Sequence, residues 1–475
     1  MNIGLAILTR GLACALLAGA TGCARFHDAP LSAEKVSAEF EARSLSDPGL
    51  EAFVQRHRPS EETSWPPASW DLNNLTLAAF YFHPELDVAR AQAAGARAAR
   101  LTAGQRPNPT LGLSPAYDIT TSIPSPWIVA ASLDLPLETA GKRGYRAARA
   151  DRLSDAARFQ LAATAWRVRS RVRACLLALA TATQREALLK QHEAIQNRCV
   201  RLLEGQARAG DVPPIEVTQA RAAWNRTRLE LHEAELQAAT ARLQLADALG
   251  LPPAALDGVA LDLTGFQNLP AEVPDAAARR HALLNRADIL AALAEYAAAQ
   301  SALQLEIARQ YPDVHLSPGY EYDQGDNKWG IGLSLELPLL NRNQGRIAEA
   351  AAKREELAAR FNALQARVLA DIEQALAAYR LSVKKAEAAA ALGEQLATQV
   401  RLAAAMHAAG ELAQVDVARR ELEAAAAGLA QLDAHAQAQA ALGALENALQ
   451  IPVQLCLAVD QLSLSPRPSP LSGTP

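Results

Sequence analysis

Two short stretches of this chain alternate apolar and polar positions, while nearly everything else steps by three and four. In residues 109–137, Leu111, Leu113, Pro115 and Tyr117 alternate with Thr110, Gly112, Ser114 and Asp118, less one small Ala. Trp127, Val129, Ala131, Leu133 and Leu135 then alternate with Ile128, Ala130, Ser132 and Asp134. Residues 312–339 repeat the form more cleanly. Val314, Leu316, Pro318, Tyr320 and Tyr322 oppose His315, Ser317, Gly319, Glu321 and Asp323, and Trp329, Ile331, Leu333, Leu335 and Leu337 oppose Gly330, Gly332, Ser334 and Glu336. A period of two predicts strands with one apolar face and one small or acidic face, so each stretch is expected to be a β-hairpin.

The rest reads as helix. A helical pattern starts near Leu75, is interrupted at Pro84 and stops before Pro107-Asn108-Pro109. After the first hairpin, Leu161, Ala165, Val168, Val172, Cys175, Leu179 and Ala182 form a coiled-coil seam, predicting a long helix over 145–205. A turn at 209–214 reverses the chain into a return helix over 214–249. Residues 251–278 carry Pro and Gly without periodicity and read as a linker or small side domain. The order then recurs: a helix from about 276 to 310, the second hairpin, a long helix over 347–407 and a return helix over 413–449.

The spacing of landmarks shows why. Trp329 lies 202 residues after Trp127, as do Ser334 after Ser132 and Pro338 after Pro136, while Gly410 lies 200 after Gly210 and Pro452 lies 200 after Pro252. This indicates tandem duplication of a unit of roughly 200 residues, as a first repeat 75–250 and a second 279–452. Residues 23–74, with Trp65-Pro66-Pro67, read as an irregular arm, and the Pro/Ser-rich tail 453–475 is expected to be disordered.

Composition narrows the class. Half of the residues are hydrophobic but only 5% are aromatic, which suits long, closely packed Ala-rich helices rather than one large core. A formal charge of -4 argues against a nucleic-acid partner. The N-terminal 1–22 has one Arg, an apolar run from Gly11 to Ala20 and small residues before Cys23, the layout of a secretory signal too short to span a bilayer. Ala20-Thr21-Gly22-Cys23 resembles a lipobox, which implies lipidation of Cys23; an ordinary cleaved signal is the alternative. Cys175 and Cys199 sit on one predicted helix, about 36 Å apart at 1.5 Å per residue, so no disulfide joins them.

Strands of nine to eleven residues with Trp and Tyr near one end suit a tilted membrane crossing, with Tyr117, Trp127, Tyr320, Tyr322 and Trp329 as its aromatic girdle. A soluble sheet packed on a core is the alternative. Four strands cannot close a membrane barrel, because open edges are not satisfied in lipid and the smallest barrels need about eight. Identical subunits are therefore expected to share it, with the helices continuing as a hollow coiled-coil cylinder.

The duplicated order, the paired turns AGDVPPIEV and AGELAQVDV, and the closing LGLP and LQIP together resemble the TolC-like outer membrane factor family, exit ducts of tripartite efflux and secretion systems. LETAGKRG at 137–144 and LNRNQGRIAEA at 340–350 are similar to its heavy-metal-efflux, Czc-type branch. The resemblance implies an α plus transmembrane β-barrel fold, a homotrimer with a twelve-stranded barrel in outer-membrane lipid, a periplasmic adaptor and an inner-membrane RND-type pump. A secretion duct or multidrug exit duct of the same architecture, and a non-channel coiled-coil lipoprotein, remain alternatives.

Function would then sit at two levels. Alternation puts Asp118, Asp134, Glu321, Asp323 and Glu336 on the polar face, the lumen of a barrel, where symmetry would make rings favouring cations. Part of this set could lie at the rims instead. At the periplasmic tip, the family's gate pattern VDVLDA is matched here by VDVARR, giving Asp416 with Arg419 in place of the second acid and Glu216 as the first-repeat counterpart. Gly210 and Gly410, with Asp211 and Glu411 beside them, match the tips where the adaptor docks; each acid also suits a helix N-terminus. No catalytic constellation, cofactor motif or tight metal-ligand spacing is present, so neither an enzyme nor a bound cofactor is expected.

Overall fold

The computed structural model describes residues 26–57, 65–119, 125–270 and 276–452; Cys23, the signal 1–22 and the tail 453–475 lie outside the described residues. The chain divides into two units after Arg43. In the first, α1 (Ala33–Glu41) starts at Ser32, whose hydroxyl accepts from the Lys35 N–H, and the Arg43 guanidinium lies 5.2 Å over the Phe40 ring.

The second unit contains the repeats. After α2 (Pro48–His57), α3 (Leu72–Phe82) is capped by Asp71, whose carboxylate accepts from Asn74 N at 2.8 Å. It ends where Pro84 forces His83 into an extended conformation, and Pro84 becomes the first residue of α4 (Pro84–Gly104), where its missing N–H leaves no bond unmade. Strands β1 (Thr110–Tyr117) and β2 (Trp127–Leu137) lead to α5 (Lys142–Ala209) and α6 (Pro214–Leu249). The second copy is α7 (Ala276–Asn285), α8 (Ala287–Ala308), β3 (Val314–Asp323), β4 (Asp326–Leu335), α9 (Gln344–Ala408) and α10 (Gln414–Leu449). At 68 residues α5 is about 100 Å long.

Two boundaries differ from the periodicity. Helix α5 passes through Gly205, where open space surrounds the missing Cβ, and stops only at Gly210, whose φ of +87° turns the chain. The helix expected over 276–310 is broken at Arg286, with ψ 134°. Its guanidinium holds Asp288 at 2.7 Å and donates to the Ala448 carbonyl, while Gln450 caps the Ala287 N–H at 2.9 Å. Apart from the local Asp288, the contacts at this break come from the far end of the second repeat, at Ala448 and Gln450.

The helices form lanes. Helices α4 and α6 both pack on α5, α5 packs in turn on α8 and α10, and α9 packs on α8 and α10. Along the seam, Leu161, Ala165, Val168, Val172, Leu179 and Ala182 are all buried. The four strands make one antiparallel sheet in the order β1-β2-β3-β4. Sheet and helical layer thus run in the same chain order, with first-repeat elements at one edge and β4 and α9 at the other. The β1–β2 register pairs Tyr117 with Trp127, and the β3–β4 register pairs Tyr320 with Trp329, so β1 and β3 correspond at an offset of 203.

Each repeat has its own core. In the first, Leu75, Phe80 and Phe82 pack with Val168, Val172, Leu176, Leu245 and Leu256; in the second, Ile289, Val368, Ile372 and Tyr379 pack with Leu442 and Leu445. Residues 251–270 join these cores rather than standing apart: Leu251, Leu256 and Phe266 are buried in the first, and the Pro270 carbonyl accepts from the Tyr379 hydroxyl at 3.1 Å.

Between the repeats lies a buried ionic clamp. Glu446 of α10, 2% exposed, sits 3.4 Å from Arg169 and 3.2 Å from Arg173 of α5. Arg173 also donates to the Gln439 carbonyl at 2.9 Å, and the Gln439 amide donates to the carbonyls of Phe266 and Asn268 at 3.0 and 2.8 Å. Burial lowers the Arg173 pKa, with Glu446 opposing that effect. Gly443 is small because a Cβ there would stand 2.3 Å from the Arg173 guanidinium.

A second clamp joins sheet to helices. Lys142, at the start of α5, donates to the Tyr311 carbonyl at 2.6 Å and to Asp313 at 2.8 Å, and the same Asp313 oxygen accepts from the Thr139 N–H at 2.9 Å. Burial pushes the Asp313 pKa up, but the hydrogen bonds from Lys142 and Thr139 outweigh it and hold the carboxyl below its ordinary value. At the other joint Asn343, with φ +62°, donates to the carbonyl and carboxylate of Glu306 at 2.8 and 2.9 Å.

Glu446→Ala leaves two buried guanidiniums short of their counter-charge and is expected to cost about 3 to 5 kcal/mol. Thermal unfolding followed by circular dichroism should show a large drop for this variant and a smaller one for Glu446→Gln. Because the Asp313 pKa is lowered on folding, its contribution is complete above the ordinary value of 3.8 and is lost as pH falls through the lowered folded value. Proteolysis at the 137–142 joint is therefore expected to increase only at strongly acidic pH, and Asp313→Asn should show the increase already at neutral pH.

Candidate functional site

Two regions gather the sequence-predicted residues, and the first is the sheet. Its apolar face is open: Leu111, Leu113, Tyr117, Trp127, Ile331, Leu333 and Leu335 are exposed, and Trp329 is 83% exposed. The aromatic residues pair across strands, with Tyr117 and Trp127 edge to face at 5.0 Å and Tyr320 and Trp329 tilted at 4.9 Å. Tyr322 stands between Val129 and Asn327 in the same register. Among the described residues no helix is long and apolar enough to cross a membrane. Exposed apolar side chains also occur along the helices, among them Leu101, Leu229 and Leu381, but on the sheet they line one continuous face.

The opposite face carries small and charged side chains. Gly319 pairs with Ser132 on one side and Gly330 on the other, which keeps the centre of this face shallow. The predicted acids fall in four places. Asp134 is near the helical end, where both its oxygens face His315 Nδ1, at 3.0 and 3.2 Å, and one accepts from the Ser317 hydroxyl at 3.3 Å. Glu321 stands directly opposite Lys328, and Asp323, at the end of β3, accepts a charged hydrogen bond from the same lysine. Asp118 lies just past β1, where the Gln324 amide reaches its carboxylate at 2.7 Å. Glu336 follows the end of β4 and is exposed. Sequence reading did not single out Lys328, His315 or Ser317. Alternation does place all three on the polar face, but only the β2–β3 and β3–β4 registers bring them to the acids.

The second region is the pair of helix turns far along the chain from the hairpins. Gly210 and Gly410, with φ of +87° and +82°, end the long helices in the same way. The Asp211 N–H donates to the Gln206 carbonyl and the Glu411 N–H to the Met406 carbonyl, each at 2.9 Å. Val217 and Val415 then bury against Cys199, Leu203 and Ala418, which docks the start of α10 on the α5–α6 turn. That packing brings the predicted trio together. Arg419 donates to Asp416 and to Glu216 at 3.5 Å each, bridging the two repeats. All three side chains are solvent-accessible, so each link contributes at most about 1 kcal/mol. Arg198 and Glu421 form a further ion pair beside them, and burial pushes the Cys199 thiol pKa up against the opposing charges of Arg419 and Arg198.

Among the described residues there is no group of three or more His, Cys, Asp and Glu side chains that could hold a metal.

The fold has solved counterparts. The outer membrane protein VceC from Vibrio cholerae superposes with a TM-score of 0.65 at 22% identity, covering 80% of this chain and 95% of that one. CusC, whose structures are described in terms of transmembrane channel formation, superposes at 0.63 with 17% identity over 90% of this chain and 99% of that one. In sequence, the cobalt-zinc-cadmium resistance protein CzcC of Cupriavidus metallidurans is 28% identical over 260 residues, 54% of this chain; the match spans 61% of that relative's length. The outer membrane efflux protein profile matches residues 80–251 and again 278–449, one match per repeat. Because those two matches take in most of the chain, it belongs to the outer membrane efflux protein family.

Proposed function

We propose that this chain is one third of a trimeric outer-membrane duct that passively conducts solutes delivered by a periplasmic adaptor and an inner-membrane RND-type pump. The observation that carries this reading is the four-stranded sheet with an exposed apolar face and the same order of elements in sheet and helical layer. An apolar sheet face in lipid requires paired edges, and β1 of one copy can pair only with β4 of the next. The helical layer offers α4 and α6 at the matching edge and α9 at the other, so one rotation closes both. Three copies give twelve strands. The contact is heterologous and generates a ring.

In this reading Trp127, Trp329 and their tyrosine partners form the interfacial girdle, and the Gly/Ser-rich polar face is the lumen. Residues 1–22 direct export and Cys23 carries the lipid anchor, a supplement to the barrel because one acyl chain binds a membrane only marginally. Gly210 and Gly410, with Asp211 and Glu411, present the tips to the adaptor. Arg419, between Glu216 and Asp416, forms a weak latch at the entrance. The cargo is a divalent heavy-metal cation; the similarity to a protein named for cobalt, zinc and cadmium resistance supports this.

Protein extracted in detergent and reconstituted in planar bilayers is expected to form trimers with discrete conductance; a monomer without conductance overturns the duct. Arg419→Ala leaves Glu216 and Asp416 without their cation in each chain, so conductance and cation preference should both rise. Currents and reversal potentials identical to wild type reject the gate assignment. Deletion of the gene is expected to sensitise cells to cobalt, zinc and cadmium salts and to leave tolerance of dyes and antibiotics unchanged; the opposite pattern replaces the metal cargo with an organic one.

A further inference from the structure

The Asp134–His315 pair on the polar face of the β2–β3 seam has features that a strand ladder does not require. His315 Nδ1 lies 3.0 Å from Asp134 Oδ2 and 3.2 Å from Oδ1, and the Ser317 hydroxyl donates to Oδ1 at 3.3 Å. Ligand-to-ligand separations of about 3.3 Å are the edges of a tetrahedron with bonds of about 2.0 to 2.1 Å, the distances zinc takes to imidazole nitrogen and carboxylate oxygen. The side chains of His315 and Asp134 are 43% and 38% exposed, so water can complete the coordination.

Duplication supplies a control inside the chain. At the offset of 203 that aligns β1 with β3, the counterpart of His315 is Gly112, and at the offset of 202 that aligns β2 with β4, the counterpart of Asp134 is Glu336. Neighbouring positions are kept: Ser114 matches Ser317, Pro115 matches Pro318 and Tyr117 matches Tyr320. The hairpin therefore forms equally well with glycine at the histidine position. What the histidine adds is chemistry.

We infer that Asp134 and His315 form a two-ligand site for a zinc-like divalent transition metal on the inner wall near the helical end of the sheet, one per chain. The metal takes the place of the proton between Nδ1 and the carboxylate, and the neutral imidazole carries its proton on Nε2 instead. Imidazole selects metals of the zinc type over magnesium and calcium, which prefer all-oxygen shells. Two protein donors with water in the other positions give a weak, fast-exchanging site. A conduit needs that, since a solute held tightly would not leave. The site deepens the duct reading and rests on it for its place in the lumen, but metal binding itself does not depend on conduction.

Equilibrium dialysis of the purified full-length protein against Zn²⁺ alone should show one added site per chain in wild type, with affinity reduced at least about tenfold in His315→Ala and in Asp134→Asn. Binding of Mg²⁺ should be the same in all three. In bilayers, half-block of the current by Zn²⁺ should need about tenfold more metal in either variant, while a far-ultraviolet circular dichroism spectrum matching wild type reports correct folding. Equal Zn²⁺ binding by wild type and His315→Ala overturns the site, as does a variant whose only change is a lower melting temperature, the mark of a purely structural hydrogen bond. Wild type that binds zinc as described but forms no channel upholds the site and sinks the duct instead.

Discussion

The structure depends on one carboxylate held between two arginines. Glu446 is almost fully removed from water, yet it belongs to the last helix of the second repeat while Arg169 and Arg173 belong to the first long helix of the other. The two duplicated units have separate main cores and share a smaller cluster at the helix turns. The clamp fixes them as one layer, and Gln439 ties the same arginine to the linker through Phe266 and Asn268. Buried ion pairs add little net stability over apolar packing, but a misaligned one is costly, and so this arrangement specifies register between the repeats.

The consequence reaches the sheet. With α5 and α10 fixed, the hairpins are held edge to edge, and β2 pairs with β3 in a register that brings His315 to Asp134. The Lys142–Asp313 clamp lies where that sheet meets the helices and uses a carboxylate from one repeat and an ammonium from the other. The polar links across the seam are made between repeats, while the two largest hydrophobic cores lie within them and a smaller one, around Cys199 and Val415, is shared. Duplication supplied two equivalent modules; the polar contacts at the seam are where they stopped being equivalent.

The same asymmetry marks the candidate sites. The tip glycines are equivalent in φ and in hydrogen bonding, as expected of residues whose role is to end a helix. Arg419 has no such symmetry, since it serves one acid from each repeat. His315 likewise has glycine as its counterpart. The acids at the turns are repeated, Glu216 matching Asp416, whereas the arginine between them is not: Gln219 stands at the position corresponding to Arg419.

By itself the sequence determined the elements and their faces. Alternation around Trp127 and Trp329 separates an apolar from a polar strand face, the four-three seam from Leu161 to Ala182 gives the buried stripe of a long helix, and the spacing of Gly210 and Gly410 reveals the duplication. These are local consequences of backbone period, and period is written in consecutive residues. Only the tertiary structure decided which charges meet. That Glu446 lies between Arg169 and Arg173, that Arg286 breaks a helix by reaching Ala448, and that His315 faces Asp134 all follow from residues more than 160 positions apart. Side-chain period says which face a charge occupies; the partner on that face is set by the register between elements, which the packing of the two repeats fixes.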